Sequence, residues 1–214
     1  MQNSKQEIPN KTQILMLNSY NTIEKPSVAE FKDRGSKFLS YAFPILSVEE
    51  FKIRLKKLKE EHPKAAHHCF AYRLGIDGSN FRASDDGEPS GSASKPILGQ
   101  IDSRELTNLA IVVVRYFGGT LLGVPGLINA YKTSASFALQ LTAIAQKPVL
   151  VNYQLEFDYT LMNEVMMIAK RFNCVIIQNE MQLFCKMLIG IPKVAEAIIV
   201  KSFKDLRGVE IKAQ

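Results

Sequence analysis

The spacing of apolar and polar positions divides the chain into elements of two periods. Leu109 to Val114 is an unbroken apolar run, too short for a helix and rich in β-branched residues, which predicts a strand buried on both faces. Arg115, Tyr116 and Phe117 close it, and Gly118, Gly119, Gly123, Pro125 and Gly126 are expected to postpone regular structure until a helix begins near Leu127. Earlier, Phe31 to Leu46 alternates loosely and reads as a strand ending near Pro44. Ser47 and Glu50 form a capping box for a helix that carries Val48, Phe51, Leu55 and Leu58 on one face and stops at His62 and Pro63. Ala65 to Leu74 follows as a strand, with His67, Cys69, Ala71 and Arg73 on one face and His68, Phe70 and Tyr72 on the other. A helix over Pro96 to Glu105 completes the first part.

After Gln146-Lys147-Pro148, read as a linker, the pattern changes. Tyr153, Leu155, Phe157 and Tyr159 alternate with polar residues, a half-buried strand, and Thr160 is placed to cap a helix bearing Val165, Ile168, Ala169 and Phe172. Cys174 to Gln178 and Met181 to Ile189 read as a hairpin about a turn at Asn179-Glu180. A helix after Pro192 and a short strand from Val209 to Lys212 complete β-α-β-β-α-β. The expected division is an extension over residues 1–19, with a polar stretch from Met1 to Gln13 that lacks a period, one domain over 20–147 and a ferredoxin-like domain over 148–214.

The net charge of +6 is concentrated in the first part, where 19 Lys and Arg face 14 Asp and Glu up to Lys147, against 8 and 7 beyond it. Attraction to acidic partners therefore belongs mainly to the first domain. Three cysteines without paired spacing imply neither a disulfide framework nor a structural zinc site, so a reducing cytoplasm is the expected location. No apolar run approaches the roughly 18 residues needed to span a bilayer.

Four stretches carry candidate chemistry, each with a plainer alternative. The glycine-rich turn after Val114 can converge amides on an anion beside Arg115, or simply let two elements pack closely. Lys52, Lys56 and Lys59 form a stripe that meets phosphates or faces solvent. His67 beside Cys69 suits a nucleophile or a ligand pair, although a cysteine in a strand is commonly a small buried hydrophobe. Asp85, Asp86 and Glu88 can hold a cation; alternatively the two aspartates begin a turn and Glu88-Pro89 opens a helix.

Three motifs in order, Ala66-His67-His68-Cys69 with Ala71, Ser84-Asp85-Asp86-Gly87-Glu88-Pro89-Ser90-Gly91, and Val114-Arg115-Tyr116-Phe117-Gly118-Gly119 with Leu122-Gly123, Gly126-Leu127 and Ala130-Tyr131, resemble the IMPACT family in its short prokaryotic, YigZ-like form. The resemblance implies an α+β protein: a ribosomal-protein-domain-like α/β sandwich followed by a ferredoxin-like domain similar to the last domain of elongation factor G. It implies a role in translation, because the eukaryotic relatives are translational regulators, and it brings no established catalytic activity. Ser94 and Pro125 stand where relatives usually have glycine, and both stiffen their loops.

The resulting expectation is a non-enzymatic binding protein of the translation apparatus that contacts RNA, the ribosome or a ribosome-associated factor, with no cofactor, metal or membrane. Its surface patch comprises His67, Asp85, Asp86, Glu88, Arg115, Tyr116, Gly118, Gly119 and Gly123, extended by Lys52, Lys56 and Lys59. The alternative is a hydrolase with His67 as base and the acidic loop as acid or metal site.

Overall fold

The computed structural model describes residues 18–214, so the expected polar extension lies almost wholly outside the described residues. Contacts divide the chain into two units, residues 20–147 and residues 148–214, the latter joined by the residues just before Tyr20.

The first unit is built on five antiparallel strands in the order β2-β3-β6-β4-β5: β2 (Ser27–Asp33), β3 (Ser36–Pro44), β4 (His67–Leu74), β5 (Asn80–Ser84) and β6 (Leu109–Tyr116). The single strand expected over Phe31 to Leu46 is thus two, joined at Arg34 (φ 43°) and Gly35 (φ 81°), the two positive-φ positions of a tight hairpin. The apolar run forms the central strand β6, whose residues Leu109 to Val114 are all fully buried. Helix α1 (Val48–Glu61) covers one face, packing Phe51 and Leu58 against Phe70, Tyr72, Val112 and Val114. Helices α2 (Ser94–Asp102) and α3 (Gly123–Gln140) cover the other, against Phe38, Cys69, Ala71, Ile111 and Val113. The Glu50 amide donates to Ser47 Oγ (3.1 Å) and the Leu46 amide to Glu50 Oε2 (3.0 Å), so the capping box forms with the reciprocal bond one residue earlier.

Three further local expectations change between Glu88 and Pro148. Helix α3 starts at Gly123, four residues before Leu127, because Pro125 lies in its first turn, where amides have no intrahelical partner to lose. No helix opens at Glu88-Pro89; the loop makes turns until Ser94, and the stiffening at Ser94 is spent as the first residue of α2. The expected linker is part of strand β7 (Ile144–Pro148), paired with β1 (Ser19–Ile23).

The second unit has the order β11-β8-β10-β9, all antiparallel: β8 (Leu150–Asp158), β9 (Val175–Glu180), β10 (Phe184–Pro192) and β11 (Val209–Ala213). Helices α4 (Met162–Arg171) and α5 (Glu196–Lys204) close one face over Leu155, Phe157, Met187 and Ile189, a ferredoxin-like arrangement. Thr160 does not cap α4, which starts without a side-chain cap; Asp158 instead caps the 3₁₀ turn Tyr159–Leu161 before it, its carboxylate accepting from the Thr160 amide at 2.9 Å. Asn179 and Glu180 lie inside β9, so the hairpin turn falls after them.

Candidate functional site

Strand register gathers one set of polar residues at a single end of the five-stranded sheet. His67 opens β4, Arg115 lies near the end of β6, and the two are direct cross-strand partners; Phe38 flanks Arg115 on β3. By the alternation of a strand, Ser36, Phe38, His67, Cys69 and Arg115 all face α2 and α3. The loop after β5 brings Asp85, Asp86 and Glu88 over this end, and α3 adds Tyr131 from beneath.

At the centre is a buried ion pair. Arg115 Nη1 donates to Glu88 Oε1 at 2.6 Å, and both side chains are almost wholly excluded from solvent. Tyr131 donates its hydroxyl to the same oxygen at 2.7 Å, and His67 Nε2 stands 3.8 Å away. Arg115 Nη2 lies 3.3 Å from Ser36 Oγ, which also accepts from the Gly118 amide. Arg115 Nε is buried without a hydrogen-bond partner, but the guanidinium carbon lies 5.5 Å from the Phe38 ring centroid and 5.6 Å from that of Phe117. Aromatic faces therefore take part of the role that water would have.

The acidic loop is spent on the chain itself. Asp85 accepts from the amides of Gly91 (2.8 Å), Ala93 (3.0 Å) and Ser94 (2.7 Å), so it caps α2 from six to nine residues away. Burial alone would raise its pKa, but these amide bonds outweigh burial and hold the carboxyl below its usual range. Asp86, held at φ 43°, accepts from the His68 amide (2.7 Å), offers its carbonyl to His67 Nδ1 (2.8 Å) and meets Lys59 Nζ at 3.4 Å. Cys69 donates to the Asp85 carbonyl at 2.9 Å and lies 3.3 Å from the Tyr131 hydroxyl; burial pushes its thiol up to about 12, so it is no thiolate near neutrality. Burial likewise raises the Tyr131 phenol well above its ordinary value.

His67, Asp85, Asp86, Glu88 and Arg115 are therefore brought together, but Glu88 and Arg115 sit inside rather than on the exterior, because each neutralises the other where water is excluded. Tyr116 points to the opposite face, its hydroxyl 2.9 Å from His62 Nδ1, while His62 Nε2 meets the Tyr41 hydroxyl at 2.7 Å. His68 faces that side too, and burial lowers its pKa against the opposing pull of the Asp86 carboxylate. Gly118 serves close packing: a Cβ there would overlap the Gly35 carbonyl group. Gly119 and Gly123 are exposed, the latter as the first residue of α3. Lys52, Lys56 and Lys59 line a shallow cavity of about 390 Å³ on α1 with Leu55 and Glu60, and only Lys59 reaches the cluster, through Asp86.

Sequence reasoning missed Ser36 and Tyr131 as members of the cluster. Tyr131 lies within a recognised motif and carries a hydroxyl on the inner face of a helix rich in small residues, which is the signal available for it. For Ser36 there is no local signal.

A family model described as the Impact N-terminal domain matches residues 34–139, a span that contains every residue of this cluster and the lysine stripe. The chain is similar to an IMPACT family member of Haemophilus influenzae, 34% identical over 166 residues that cover 77% of this chain and 81% of that one. It is also similar to the IMPACT family member YigZ of Escherichia coli, 34% identical over 167 residues that cover 76% and 82%. A solved crystal structure of a hypothetical protein superimposes with a TM-score of 0.71 at 30% identity, covering 93% of this chain and 98% of the other. Shared identity of this order along most of both relatives places the chain in the IMPACT family.

Proposed function

We propose that this chain is a non-enzymatic binding protein of the translation apparatus and that it contacts RNA. The observation that carries the reading is the lysine stripe of α1: Lys52, Lys56 and Lys59 line one shallow face, and Lys59 meets Asp86 at the edge of the sheet-end cluster. Lys52 has no ion pair among the described residues, and Lys56 has only an exposed one at 3.9 Å to Glu60, a pair that water screens. Both lysines are therefore available to phosphates at roughly one released counterion each. The eukaryotic side of the family resemblance supplies the translational context.

The hydrolase alternative has less support. The Cys69 thiol is protonated and committed, His67 faces a carboxylate rather than a nucleophile, and the three acidic side chains go to three separate sets of partners. Among the described residues, no three His, Cys, Asp or Glu side chains are grouped to hold a metal ion.

The test is retention on RNA and on purified ribosomes at low salt. Lys52→Glu with Lys56→Glu should weaken retention and lower the slope of log affinity against log salt by about one to two. Protein that stays unbound to both at about 50 mM salt removes the proposal.

A further inference from the structure

Phe117 is an aromatic side chain left about half exposed, at 51%, beside the buried charge of Arg115. Its ring rests on the Arg115 guanidinium, which is fixed by Glu88 and Ser36. A ring held in this way loses little freedom when a second surface covers it. The cation beneath draws π-electron density inward, so the outer face disfavours a second cation and suits another flat π-system. Close by, Gly119 carries no side chain and a Cβ there would meet nothing within 4 Å, which leaves open space for a flat ligand. Lys64 is exposed and without an ion pair among the described residues. It lies two residues before Ala66, whose amide bonds the Arg115 carbonyl at 2.8 Å.

We infer that Phe117 is a stacking platform for a nucleobase of single-stranded RNA, with Lys64 placed for the adjoining phosphate; this rests on the RNA reading above and assigns it a contact point. Stacking of this kind tolerates any base, so the site selects single strands rather than a sequence. Phe81 provides an internal contrast. It is equally exposed, at 53%, and rests on Arg73, but it sits on the edge strand β5 beside Asn80 and Arg82, with no glycine next to it, and Arg73 and Phe81 pair at the far end of β4 from His67.

The chain contains no tryptophan, so Phe117→Trp installs a single indole whose emission falls when a base stacks on it. A short fluorescein-labelled oligoadenylate is titrated at about 50 mM salt while label anisotropy reports binding and indole emission reports stacking. Anisotropy should rise and indole emission should fall together, whereas Phe81→Trp should bind with unchanged emission. Phe117→Leu, which keeps apolar area but removes the π face, should weaken binding roughly tenfold. Binding with unchanged emission overturns the stacking site and leaves the RNA reading standing; no binding by either Trp variant also overturns the stacking site, and the RNA reading falls with it only where the wild type is retained by neither RNA nor ribosomes. Equal quenching at Phe81→Trp overturns the assignment to Phe117. Full affinity in Phe117→Leu also overturns it, and is the result expected if Phe117, with the exposed Leu121, Val124 and Ile128, serves an apolar protein contact instead.

Discussion

In residues 20–147 both faces of the sheet are covered, and the interior holds Ser36, Ser40, His68, Glu88, Arg115 and Ser134 beside its apolar core. In residues 148–214 a single face is covered, and among the described residues its buried side chains are all apolar. The second unit can leave Gln154, Glu156, Lys186, Glu210 and Lys212 on the open face of its sheet, and it encloses no whole charged residue, only one carboxylate oxygen of Glu164. The first encloses its sheet and has to pair the charges it traps, as Arg115 is paired with Glu88. Packing should therefore dominate the stability of one unit, while the other should depend in addition on a buried polar network.

The strongest test of this contrast is Arg115→Ala. It strands the Glu88 carboxylate and should cost about 3–5 kcal/mol, whereas replacing both partners by Met and Leu should recover most of the loss. Chemical denaturation, with amide exchange followed separately in the two units, reads this, and a double replacement as damaging as the single one would break the argument. In the other unit Met187→Ala, at a fully buried position, should cost about 2–5 kcal/mol by the cavity it leaves and should spare exchange protection in residues 20–147. Asp85→Ala removes the acceptor for the Gly91 amide of the loop and for the Ala93 and Ser94 amides at the start of α2 and should cost about 1–3 kcal/mol, localised by exchange to that loop and helix.

The smallest effect is acid sensitivity. His68 has a folded pKa below its ordinary 6.5, so the unfolded chain binds more protons and stability falls as pH drops below about 6.5. Asp85, whose folded pKa is depressed, contributes stability that is complete above the ordinary carboxylate range and is lost as pH falls through the folded value. Melting profiles should show these two windows in the wild type, and His68→Phe should flatten the upper one alone.

Much of the fold was legible before any coordinates. The unbroken run at Leu109 to Val114 could only be a strand covered on both sides, and the alternation around Tyr153 to Tyr159 marked a sheet open on one side. The helix starts were less legible. Pro125 looked like a barrier to α3 but is free of cost within a first turn, and the carboxylate that caps α2 comes from Asp85, which is remote in sequence. The site was half legible: its residue types were picked out, but their direction was not. Arg115 reads as a surface cation until Glu88 and Tyr131 are seen to close over it.

The amino-acid sequence alone determined the periodicities, and through them most of the longer elements and their covered faces, because burial of a strand or helix face is a property of neighbouring residues. Only the tertiary structure decided which polar groups are paired inside and which remain outside. Ser36, His67, Glu88, Arg115 and Tyr131 come from five separate segments and meet solely through strand register and the docking of α3. Whether a charge is solvated or buried depends on those distant partners, and no local pattern encodes them.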